Sequence, residues 1–171
     1  MTPTILRGFT SGWSAVHGPD GWILIEPLAE ETDARRVTNV LPGNLPERFV
    51  ILTAANPGGV ELGDDENRAR YTRLLERIDG LEPFPRETPT AFPAVGGLPH
   101  GSTPQTWHAR EEGVAIDLSR EEASMLAAEF GQLAWYSFED GRRLLIATDD
   151  GTILAAQPYR CHSGGAHHPE R

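Results

Sequence analysis

The chain predicts an α+β fold, a ferredoxin-like βαββαβ core sandwich with a mainly antiparallel sheet, an extra N-terminal hairpin and a C-terminal strand pair. Three observations predict it. A near-continuous apolar run from Phe49 to Ala55, rich in β-branched residues, reads as a central strand covered on both faces. Two segments with helical periodicity, "GDDENRARYTRLLERIDG" and "SREEASMLAAEFG", are separated by strand-type stretches. The resulting order of strand, helix, strand, strand, helix, strand is the split βαβ arrangement.

Taken in order, "WSAVHGPDGWILIEPL" reads as a hairpin, because Gly18-Pro19-Asp20-Gly21 is strong turn chemistry between two β-prone runs. The polar stretch that follows, punctuated by Pro42, Gly43 and Pro46, is a short element and a linker. The strand from Phe49 ends at Asn56, since Pro57 cannot donate to a ladder and Gly58-Gly59 permits a sharp turn. The first helix has Asp64 as its expected N-cap, Tyr71, Leu74 and Ile78 as its apolar stripe, and Gly80 past its end. Glu87 to Val95 reads as an edge or irregular strand because of Pro89 and Pro93, and "GGLPHGSTPQ" as a loop.

"TWHAREEGVAIDL" is another strand. The second helix opens with a capping box, Ser119 with Glu122, and turns Ala123, Leu126, Ala127 and Phe130 to one face. Antiparallel strands follow, with turns at Glu139-Asp140-Gly141 and Asp149-Asp150-Gly151. By segments, residues 1–46 are a hairpin and linker packed on the core, 47–157 the α+β core domain, and 158–171 a flexible tail.

The 171 residues suffice for one domain with a real core. No apolar run approaches the roughly 18 residues of a membrane span. The N-terminus has no secretory pattern and the single cysteine cannot form an internal disulfide, so a cytoplasmic setting is expected. With 25 acids against 15 bases the net charge is −10, which disfavours nucleic acid as a partner. All the basic side chains are Arg and none is Lys, which excludes a Lys Schiff base and a Walker-type phosphate lysine.

In the predicted topology Asn56 stands at the top of the central strand. Asn67, in the first helical turn, shares the stripe of Tyr71, Leu74 and Ile78, and Gln132 shares a strand face with Ala134 and Tyr136. Three carboxamides would thus meet at one edge. Buried amides need partners, so they either tie the corner together or line a ligand pocket, and both readings stand.

At "TAANPGG", "DDENRARYTRLL" and "EFGQLAWY" the chain resembles bacterial domain-of-unknown-function family 3293. The matching positions are Ala54, Asn56 and Pro57; Glu66, Asn67 and Leu74; and Phe130, Gly131 and Gln132. Trp107 with Glu111 resembles a further family feature, but Gly113 stands where a Ser is expected. The resemblance spans about Arg48 to Asp150 and implies no activity.

The leading expectation is a binding or regulatory domain whose pocket, with Asn56, Pro57, Asn67, Gln132 and Tyr136, takes a small molecule or a peptide. The alternative is a metal-assisted hydrolase or nuclease-like enzyme using Glu111 or His108 as acid or base. His100 stands in the same loop region as His108. Cys161, His162, His167 and His168 have no structural zinc spacing, no nucleotide-binding glycine motif is present, and no cofactor or resident metal is expected.

Overall fold

A computed structural model describes residues 2–28, 46–81, 91–99 and 104–163. The described strands are β1 (Trp13–Gly18), β2 (Gly21–Pro27), β3 (Phe49–Thr53), β4 (Phe92–Leu98), β5 (His108–Ile116), β6 (Ala134–Glu139), β7 (Arg142–Ala147) and β8 (Ile153–Ser163). The described helices are α1 (Pro3–Ser11), α2 (Asp64–Asp79) and α3 (Arg120–Glu129). The strands close into an antiparallel barrel in the order β1-β2-β8-β7-β6-β3-β5-β4.

The closed barrel corrects the ferredoxin-like sandwich. The N-terminal hairpin is not an addition to a four-stranded sheet, because β1 pairs with β4 and β2 pairs with β8. Those two ladders join the outer edges of the sheet, and closure removes the exposed edges that a sandwich would leave. The predicted element order survives in β3, α2, β4, β5, α3 and β6, while β3 lies between β5 and β6. The last strand runs on to Ser163, six residues past the expected boundary, with Tyr159 buried.

Strand alternation sorts the apolar residues into two layers. Phe49, Ile51, Ala94, Ala115, Phe138 and Tyr159 pack with Val16, Ile23 and Ile25 inside the barrel. Val50, Leu52, Val114, Ile116, Trp135, Leu144 and Ile146 face outward and are covered by α2 and α3. The apolar run in β3 is therefore buried on both faces as expected, with barrel core behind and helices in front.

Local signals explain most ends. Asp140 and Gly141 both take positive φ in the β6–β7 turn, the twist a two-residue hairpin needs. The capping box at Ser119 and Glu122 forms as predicted. The N-cap of α2 is Gly63, not Asp64, and Asp64, Asp65 and Glu66 fill the first turn instead, where the helix dipole favours acids. Helix α1 had no counterpart in the predicted elements. Thr2 caps it, its side chain accepting from Ile5 N at 3.4 Å, with Pro3 in the first turn.

Candidate functional site

Two recesses adjoin the open end of the barrel, and Glu111, Ala109 and Gly59 line both. The outer one, a polar cleft of about 710 Å³, runs between the start of α2 and the start of β5. The inner one, of about 320 Å³, lies in the barrel mouth beneath α1.

The cleft is built from the corner at Asn56. Backbone angles of φ 48 and ψ 57 place this residue in the left-handed region, which Asn tolerates better than most residues. Its backbone N–H donates to Asn67 Oδ1 at 3.0 Å, and its Oδ1 accepts from Leu62 N and Asn67 Nδ2, both at 3.0 Å. Asn67 Nδ2 also donates to Leu62 O at 3.2 Å, so both its hydrogens are engaged. Asn56 Nδ2 donates to Glu111 Oε1 at 2.7 Å.

The structure thus joins Asn56, Asn67 and Glu111 directly. Gln132 is buried beside them but faces the corner from behind, its Nε2 donating to Ala55 O at 2.8 Å. Pro57 opens a 3-10 turn that is pinned to the end of α3 by Gly58 N donating to Gly131 O at 2.8 Å. Arg70 adds a further clamp, donating to the carbonyls of Ala54 and Phe130. Asn56 and Asn67 bond to each other, whereas Gln132 reaches the corner only through the Ala55 carbonyl, and the hydrogen bonds described for all three amides end on the protein.

Burial pushes the Glu111 carboxyl above its ordinary pKa, and the Asn56 amide offsets part of that rise. Glu111 Oε2 accepts no hydrogen bond among the described residues. Trp107 walls the cleft and meets Trp13 edge-on at 6.3 Å. Gly113, where a Ser was expected, sits so close to β3 that a Cβ would overlap the Leu52 carbonyl oxygen. His108 lies on the exposed start of β5 and is not among the residues lining either recess, whereas His100, His167 and His168 lie outside the described residues. Among the described residues no group of three or more His, Cys, Asp or Glu is placed to hold a metal ion. No helix there is long and apolar enough to cross a membrane.

Tyr136 belongs to the inner recess. Its hydroxyl donates to Phe9 O at 2.7 Å, and burial raises its pKa to about 12. Beside it Arg143, only 2% exposed, lies 4.7 Å from the Tyr136 ring centroid. Its guanidinium donates to the carbonyls of Phe9, Thr10 and Gly12 at 2.7 to 3.1 Å and to Gln157 Oε1 at 3.0 Å. The negative end of the α1 dipole stands where a carboxylate counter-ion would otherwise be needed. Sequence reasoning passed over Arg143, although the alternation of "RRLLIA" puts it on the same face as Leu145 and hence a basic residue inside the barrel.

Residues 52–134 match the model of a family described as a protein of unknown function, DUF3293. That span contains Asn56, Asn67, Glu111 and Gln132, and excludes α1, Tyr136 and Arg143. No curated protein and no solved structure matches the chain.

Proposed function

We propose that this domain binds a small molecule in the outer cleft, and that the Glu111 carboxyl is the group that recognises it. The observation that carries the reading is the commitment of the amides: Asn67 has no hydrogen left to give, and Asn56 holds Glu111 Oε1 while Oε2 remains for another donor. The amides position the carboxyl, and the carboxyl reads the ligand. A volume of about 710 Å³ falls within the range of small-molecule sites. The fitting ligand carries an N–H or O–H donor for Oε2.

A second reading, acid or base catalysis at Glu111, draws on the raised carboxyl pKa, since a carboxyl moved toward neutrality transfers protons more readily at working pH. Glu111→Gln separates the two readings. The substitution keeps an oxygen for Asn56 and replaces the Oε2 acceptor with an NH2 donor, so the charge, the titration and the acceptor offered to the ligand are lost together. In a thermal-shift screen of small metabolites with donor groups, a ligand that stabilises the natural chain should lose most of its effect in Glu111→Gln. Retention of the full shift rejects the carboxyl as the recognition group. Turnover that vanishes while binding persists selects catalysis.

A further inference from the structure

We propose that the barrel mouth beneath α1 is a second binding site, for a neutral and mainly apolar molecule bearing one hydroxyl or carbonyl oxygen, with Ser14 Oγ as its hydrogen-bond partner. Ser14 is 1% exposed and lines the pocket, and its Oγ has no hydrogen-bond partner among the described residues. It points inward with Val16, opposite Ile25 on β2 and Gly96 on β4. At an inward barrel position an aliphatic residue would pack without cost, whereas an unpaired buried hydroxyl costs about 1–3 kcal/mol. Of the two other buried orphans, Thr148 Oγ1 does not line the pocket, and Trp135, which borders it, has its side chain packed in the helix-side layer.

The space above Ser14 is left open by glycines whose backbone does not require glycine. Gly96 has no positive φ, and a Cβ built there meets nothing within 4 Å. Gly8 sits inside α1, where glycine costs about 1 kcal/mol against alanine, and a Cβ there also meets nothing within 4 Å. The adjacent Gly97 is different, because its Cβ would come within 2.9 Å of the His108 carbonyl oxygen. Steric necessity therefore accounts for Gly97 and not for Gly8 or Gly96. The walls are apolar, with Ile51, Leu98, Ala134 and the Tyr136 ring around the opening and Ile5 and Phe9 of α1 above.

Size and charge narrow the ligand class. At about 320 Å³ the pocket holds roughly ten waters' worth of volume at ~30 Å³ each. An eight-stranded barrel is just wide enough for one such small ligand. Among the described residues lining the pocket none is a cation, and the nearby Arg143 is matched by the α1 carbonyls. Glu111 on its rim disfavours anions as well.

The full-length chain, ¹⁵N-labelled, is titrated with 2-naphthol, a neutral aromatic alcohol that fits the volume. Saturable shifts are expected at the amides of Gly8, Ser14 and Gly96, with a Kd below ~1 mM. Ser14→Ala should be as stable as the natural chain or more so, and should weaken the probe by about fivefold to tenfold. Gly96→Leu should raise Tm by filling the space and abolish the shifts; Gly96→Ala, a smaller change, should weaken binding if the larger side chain prevents folding. Unchanged affinity in Ser14→Ala and in a folded Gly96 variant overturns the proposal. Shifts confined to Leu62 and Asn67 also overturn it, because they place the probe in the outer cleft, and they leave the reading of that cleft intact.

Discussion

Asn56 and Glu111 are joined by a 2.7 Å hydrogen bond across 55 positions of sequence, from the turn after β3 to the inward face of β5. The contact fixes a half-buried carboxyl at the boundary of two recesses. It depends on a residue whose own backbone is left-handed, so the conformation of the corner and the position of the carboxyl are tied to one side chain.

Asn56→Ala should therefore act twice, removing three side-chain hydrogen bonds and placing a Cβ-bearing residue without amide compensation at φ 48. A loss of about 2–4 kcal/mol is expected in urea unfolding. Asn56→Gly keeps the backbone freedom and should recover part of that loss. If Asn56→Ala costs less than about 0.5 kcal/mol, the corner is not held by this network.

The Glu111 titration gives a pH signature. Its folded pKa is raised above the unfolded value, so its contribution to stability is fully present below the unfolded pKa and is lost as pH rises through the folded pKa. Glu111→Gln has no such group. The natural chain should lose stability relative to Glu111→Gln as pH rises from about 4 to neutrality. Parallel Tm profiles for the two chains over that range contradict the raised carboxyl.

Arg143→Met should release α1. The carbonyls of Phe9, Thr10 and Gly12 lose a charged donor, and the Tyr136 hydroxyl remains as the other side-chain anchor of that turn. A loss of about 2–4 kcal/mol is expected, with faster proteolytic cleavage within residues 2–12. Equal cleavage rates in the variant and the natural chain show that Arg143 does not hold the helix.

Two neighbouring glycines on the inner face make a control pair. Gly113→Ala drives a methyl into the Leu52 carbonyl and should cost more than about 2 kcal/mol, whereas Gly96→Ala enters open space and should change stability by less than about 1 kcal/mol. Differential scanning calorimetry of the two variants decides it. Equal costs contradict the assignment of Gly113 to close strand contact and Gly96 to the pocket.

By itself the sequence determined what short-range chemistry controls. The apolar run at β3, the capping box at Ser119 and the turns at Gly18-Pro19-Asp20-Gly21 and Asp140-Gly141 follow from periodicity and backbone preference within a few residues, whereas β3 ends at Thr53, short of the expected stop at Asn56. The pairing of Asn56 with Asn67 agrees with the inward helix stripe that carries Asn67, whereas Gln132 touches the corner only at the Ala55 carbonyl. Tertiary structure alone decided barrel closure. The choice between a sandwich and a barrel rests on which distant edges pair, β1 with β4 and β2 with β8, and local pattern is the same in both. It also decided the surroundings of Arg143, Ser14 and Glu111. Whether a polar side chain is exposed, satisfied or left facing a cavity depends on what the closed barrel and α1 bring against it, and no window of neighbouring residues contains that information.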